Sequence, residues 1–218
     1  MLVKAEHYFN KDEFMKKNIW SFKLSTAALV LIPAGVAINY VGQTLAQALK
    51  LPLWLDSIGT ILSAFLAGPI VGALVGAINN IIYGLTQNPI MFVYALTQIC
   101  IGLVAGILMK SGFIKNFGRA VLSGLMLGLT AIIISTPLNI IFWAGTTGNL
   151  WGDAVFAAAR SQHFPVWIAS LADEIVVDLP DKIVVAIIAY LIFKGLPKTL
   201  TTMYDNRAVE SFNDETDA

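Results

Sequence analysis

Six apolar stretches limit what this chain can fold into. They cover residues 22–41, 56–67, 69–85, 91–109, 117–143 and 165–193, with short polar segments between them. Roughly 20 mostly apolar residues let a helix cross a bilayer, and lipid offers a bare backbone no hydrogen-bond partner. The second run is short, and Gly68-Pro69 turns it directly into the third, so this pair also reads as a re-entrant hairpin. Six helices is the count that accounts for all the runs. Composition agrees, with 57% hydrophobic and 13% charged residues, where a soluble domain carries about 25% charge. The expected fold is an all-α integral membrane protein with six transmembrane helices.

Positive charge orients the bundle, because Lys and Arg collect on the cytoplasmic side. With the N-terminus inside, the inner segments hold Lys4, Lys11, Lys16, Lys17, Lys23, Lys110, Lys115, Arg119, Lys194, Lys198 and Arg207. The outer segments hold only Lys50 and Arg160. Both termini are therefore expected in the cytoplasm. Trp20 falls at the inner boundary and Trp54, Trp143, Trp151 and Trp167 near the outer one, where indoles anchor. Residues 1–21 read as a cytoplasmic or interfacial segment, 22–195 as the membrane domain and 196–218 as a polar cytoplasmic tail, disordered over 201–218. The charged first twenty residues do not read as a signal peptide, and no Ala-x-Ala site follows the first run.

Small residues mark where the helices pack, since lipid gives apolar helices no reason of its own to associate. Gly68, Gly72 and Gly76 recur at fours, as do Gly102 with Gly106 and Gly124 with Gly128. Residues four apart share a helix face. Each stripe leads outward to polar side chains: Asn80, Gln98, and Ser135 with Asn139. At 1.5 Å rise per residue they lie roughly 6–10 Å below the outer ends. Singly, each reads as a hydrogen bond between helices rather than as a ligand contact. Together, under a rim of tryptophans, they outline a pocket.

The stretch "DEIVVDLPDK", residues 173–182, adds charge to this layer. Glu174, Asp178 and Lys182 follow at i, i+4 and i+8 on one face. Each ion facing lipid would cost about 2.5–3.5 kcal/mol, and four or five together on the order of 10–15 kcal/mol, so they must face protein, water or a ligand. Asp178 and Lys182 read as a pair that neutralises itself along the helix, next to a kink at Pro180. Asp173 and Glu174 lie about 12 Å below the outer end, level with the amides, and Glu174 is the best candidate for touching a ligand.

Several chemistries have no support in the sequence. Gly-x-x-x-x-Gly-Lys-Ser/Thr, His-Glu-x-x-His and Gly-x-Ser-x-Gly do not occur. His7 and His163 fall on opposite sides of the bundle, so no metal site is expected. Lys+Arg and Asp+Glu both number 14, and so no basic surface points to nucleic acid. Cys100, the single cysteine, cannot form an internal disulfide and reads as a small core residue. The chain is not expected to be an enzyme, and no cofactor is implied.

"LPLWLDSIGTILSAFLAGPIVGALVGAINNIIYGL", residues 51–85, resembles the substrate-binding (S) components of energy-coupling factor (ECF) transporters, a type of ABC transporter. The matching pattern is an outer loop running into Asp56, a short helix, the "AGP" turn at 67–69, and a glycine-spaced helix ending in Asn79-Asn80. "DLPDKIVVAIIAYLIFKGLP" is similar to the last helix of one subgroup, and the likeness extends over roughly residues 20–198. The resemblance implies a multi-pass subunit in a prokaryotic plasma membrane. Such a subunit captures a vitamin or related micronutrient at the outer face and works with a membrane coupling subunit and two cytoplasmic ATPases. It also implies a substrate site in the loops after the first and third helices and the outer halves of the last three. Those regions hold Trp54, Asp56, Asn88, Tyr94, Gln98, Asn139, Trp143 and Glu174, and the stripe argument adds Asn80. The first helix departs from the family's Ala-x-x-x-Ala: Ala27, Ala28, Ala34, Gly35 and Ala37 include no pair spaced by four.

The residues also permit a membrane sensor or scaffold, or a stand-alone proton-coupled carrier using Glu174 or Asp178. Pocket chemistry favours a cationic or hydroxyl-rich ligand, because Asp56 and Glu174 oppose a multiply anionic one.

Overall fold

The computed structural model describes residues 25–204. Trp20, the lysines before Ser25 that are expected on the inner side, Arg207 and most of the expected polar tail lie outside the described residues. Within them the chain is all-helical. Helix α1 (Thr26–Ala48) starts where Ser25 Oγ accepts the amide of Ala28 at 3.1 Å. Then come α2 (Ile58–Ala67), α3 (Pro69–Thr86), a 3-10 turn (Pro89–Phe92) and α4 (Ala95–Lys110). They are followed by α5 (Phe117–Trp143), α6 (Leu150–Ser161), α7 (Val166–Gly195) and the short α8 (Lys198–Thr201).

The apolar runs become helices, with instructive differences in length. Helices α1, α3 and α5 are long and apolar enough to cross a membrane. Helix α2 has ten residues, about 15 Å at 1.5 Å per residue, roughly half of a hydrocarbon core. Gly68 ends it: φ there is +91°, a conformation open to glycine and costly for other residues. Pro69 then starts α3 at a position where its missing N–H costs nothing. Helix α7 runs for 30 residues straight through Pro180, so that proline does not end it. No expected helix falls between residues 143 and 165, yet α6 forms there. It carries Asp153 and Arg160 and buries only Gly152, so it shows no apolar run.

Helix α2 is the central rod of the bundle. It packs against α1, α3, α4 and α7, and every residue from Ile58 to Leu66 is buried. A helix enclosed on all sides has to be apolar or small all round, and "IGTILSAFLA" is. The outward surfaces are also apolar: Leu29, Val30 and Leu45 on α1, and Leu129, Ile133 and Ile141 on α5 are exposed. The buried polar set includes Asn39, Gln43, Asn79, Gln98, Asn139, Asp181 and Lys182. Apolar outside and polar inside is the arrangement a bilayer imposes.

The glycine stripes sit at the closest helix contacts. A methyl group at Gly72 would meet Ala64 Cβ of α2 at 2.5 Å, and one at Gly76 would meet Gln98 Cβ of α4 at 2.9 Å. At Gly102 and Gly106 it would overlap the backbone of Ala73 and Pro69. At Gly124 it would lie 2.6 Å from Ile183 Cα of α7. Gly68, expected to belong to the α3 stripe, serves as the turn instead. Gly102→Ala is predicted to lower the melting temperature of the detergent-purified protein, by a loss of about 1–3 kcal/mol from overpacking. Gly195 has nothing within 4 Å of the same position, so Gly195→Ala should change stability by no more than about 0.5 kcal/mol.

Candidate functional site

The loop segment 51–57 folds back into the bundle because α7 supplies the hydrogen bonds it lacks. Asp181 Oδ1 accepts the amides of Trp54 at 3.0 Å and Leu55 at 2.8 Å. Leu55 has φ +53°, a left-handed conformation that costs a leucine roughly 1–2 kcal/mol. The two bonds to a carboxylate offset that cost. The other oxygen of Asp181 lies 2.7 Å from Lys182 Nζ.

Lys182 is the hub of this cluster and only 1% exposed. Its ammonium reaches Asp181 Oδ2 at 2.7 Å, Asp56 Oδ1 at 3.0 Å and Ser57 Oγ at 3.1 Å. Asp178 Oδ1 stands farther off, at 3.7 Å. This corrects the expectation of a self-contained Asp178–Lys182 pair. The i,i+4 contact exists but is the longest of the four, because the neighbouring Asp181 and the incoming loop take the three N–H donors. Ser57 completes the knot, donating to Asp56 Oδ1 at 2.7 Å and accepting from Gln98 Nε2 at 2.9 Å. Gln98 Oε1 accepts from Thr60, whose hydroxyl accepts in turn from Asn39 of α1 at 2.8 Å. A continuous polar chain thus joins α1, α2, α4 and α7.

Beside the knot is an open-mouthed cavity of about 380 Å³, the solvent space at its mouth included. Of the residues expected at a substrate site, Trp54, Asp56, Tyr94, Gln98 and Glu174 line it. Asn139 is fully buried and not at the wall. It donates from Nδ2 to Glu174 Oε1 and accepts from the Tyr94 hydroxyl, so it orients two groups that are at the wall.

Other expected positions lie elsewhere. Asn80 is buried against Asn79, whose Nδ2 donates to it at 3.3 Å, and does not line the cavity. Asn88 caps the 3-10 turn, accepting the amide of Ile90 at 3.2 Å, because a chain leaving α3 needs that cap. Trp143 packs beside Phe142 and is also absent from the wall. The tryptophan rim therefore reduces to Trp54. Trp151 donates its indole N–H to Lys50 O at 2.8 Å on the exterior, and Trp167 is exposed. Asp173, expected level with Glu174 at the ligand, turns to Thr147 Oγ1 at 3.1 Å and braces the turn before α6.

The wall also holds Met91, Thr97, Ile101, Ser135, Thr147, Asp178 and Lys182. Thr97 and Ser135 pair at 3.0 Å across α4 and α5. Ser135 stood on the α5 stripe in sequence, but Thr97 and Thr147 carry no charge or spacing that would single them out. Asp178 and Lys182 are conspicuous in sequence, where they read as a structural pair. The cavity offers charge, hydrogen bonds and aromatic surface, which is equipment for holding a ligand. Among the described residues no group of three His, Cys, Asp or Glu is placed to hold a metal ion.

A cavity of this kind among membrane-type helices agrees with the comparison to known families. The profile of the ECF transporter substrate-specific component matches residues 27–193. The chain belongs to that family. Searches of curated proteins and of solved structures gave no match. As a substrate-specific component it is a membrane-embedded, substrate-binding subunit of a transporter.

In this S component, removing the hub should cost more than removing one of its carboxylates. Lys182→Met leaves Asp56 and Asp181 buried without a counter-charge, a loss of about 3–5 kcal/mol. Thermal unfolding should show a large drop for Lys182→Met and a partial recovery when Asp181→Asn is added. Equal melting temperatures for the single and double variants would contradict this account of the knot.

Proposed function

We propose that the chain captures a vitamin or related water-soluble micronutrient at the outer face of a prokaryotic plasma membrane. It then delivers this cargo inward together with a membrane coupling subunit and two cytoplasmic ATPases. In this reading residues 22–195 form a six-helix domain with both ends in the cytoplasm, and α2 and α3 act as consecutive segments joined at Gly68. The observation that carries it is a polar, charged cavity inside an apolar bundle, in a chain of the ECF substrate-specific family. ATP hydrolysis belongs to the partners. The subunit's own task is selection, and the wall residues Trp54, Asp56, Tyr94, Gln98 and Glu174 carry it, with Asn139 behind them. Asn80, Asn88 and Trp143 have supporting roles at the same end of the bundle.

Buried carboxylates at Glu174 and Asp178 are also what a stand-alone proton-coupled carrier would use. Affinity purification from the native membrane separates the two readings. The S-component reading predicts co-purification of a coupling subunit and two ATPases, and uptake that stops when ATPase activity is abolished. Uptake that persists without the ATPases and follows a pH gradient would overturn it in favour of the carrier.

A further inference from the structure

We propose that this pocket takes an organic cation, with its charged nitrogen held by Glu174 and Asp178. The inference rests on reading the cavity as the substrate site, and it follows from which charges are already matched. All three donors of Lys182 are engaged, by Asp181, Asp56 and Ser57. Asp56 has Lys182 and Ser57, and Asp181 has Lys182 and two backbone amides. The lysine therefore has no donor left for an anionic substrate, and these two acids have little left for a cation.

Glu174 and Asp178 are different. Glu174 is 1% exposed, and Asn139 holds only its Oε1. Among the described residues no donor reaches its Oε2. Asp178 faces the Glu174 carboxyl, a group of like charge, and otherwise meets only the 3.7 Å approach of an ammonium that is already engaged. The two are one turn apart on the same face of α7, and both line the cavity. A buried carboxylate without a partner is costly unless a counter-charge arrives. A neutral polyol would supply donors but no charge, whereas an ammonium or a quaternary nitrogen supplies charge. Trp54, Tyr94, Met91 and Ile101 line the same space. They provide apolar surface and ring faces that attract cations, so the body of the ligand is organic. A bare metal ion does not fit, since among the described residues no three-ligand cluster is present.

The test uses full-length protein in lipid nanodiscs, with thermal shift and calorimetry. Thiamine, tryptamine and choline are the cationic probes; indole-3-propionate, pantothenate and the uncharged choline isostere 3,3-dimethyl-1-butanol are the counterparts. At least one cation should bind, and its counterparts should not. Glu174→Gln and Asp178→Asn should each weaken that cation roughly thirtyfold or more. Unliganded Glu174→Gln should melt at or above the parent temperature, because an unmatched buried charge has been removed. Binding of only the anions or the neutral isostere, or cation binding that Glu174→Gln leaves unchanged, would overturn the proposal. So would a panel in which nothing binds. Co-purification of the coupling subunit and ATPases is scored separately, so the cation assignment can fail while the S-component reading stands.

Discussion

A single ammonium group, Nζ of Lys182, joins parts of the chain that are more than a hundred residues apart. It lies within 3.1 Å of Asp181 on its own helix and of Asp56 and Ser57 in the 51–57 segment. Asp181 then grips the backbone of that segment at Trp54 and Leu55. Without these contacts an irregular, left-handed stretch of loop would have to be held against α7 by packing alone. With them, Trp54 is held at the cavity and Asp56 closes one of its walls. A buried ion cluster is generally a weak source of net stability, because desolvation offsets the attraction. Here it provides position: it fixes which residues face the cavity, with Asp178 left only the longest contact to Lys182 and Glu174 none.

The rest of the bundle follows from the solvent it must satisfy. Lipid rewards close approach of helices more than burial of apolar area, and the contacts accordingly run through Gly72, Gly76, Gly102, Gly106 and Gly124. Polar groups move inward, where the Asn39–Thr60–Gln98–Ser57 chain satisfies them. Helix α2 can be short because it is enclosed by other helices rather than by lipid. The same polar chain ties the membrane-facing α1 to the wall of the pocket.

Much of this was legible in the sequence, and the failures have physical causes. The apolar runs located the helices, with residues 117–143 matching α5 end to end. The stripes located the helix contacts, and the residues they led to include Gln98 at the wall and Asn139 directly behind it. Helix α6 was missed because its burial is limited to Gly152, which leaves no periodic apolar pattern. Asn80 enters the pocket by its stripe and depth and Asn88 by the family resemblance; one is turned to Asn79 and the other caps a turn. Depth along a helix is read from residue number, whereas the direction a side chain faces depends on neighbours that are distant in sequence. Lys182 shows this most clearly. Its helical spacing to Asp178 was visible in sequence, but its shorter contacts to Asp56 and Ser57 depend on how a loop returns from residue 51.

The central claim is that the knot at Lys182 and Asp181 holds the 51–57 segment in place over the cavity. Hydrogen–deuterium exchange of the amides of Trp54 and Leu55 tests it most directly, in the parent protein and in Asp181→Asn. Both amides should be protected in the parent and exchange much faster in the variant, while amides in the core of α3 stay unchanged. Equal protection of Trp54 and Leu55 in the two proteins would show that packing holds the segment, and the account would be wrong at its centre.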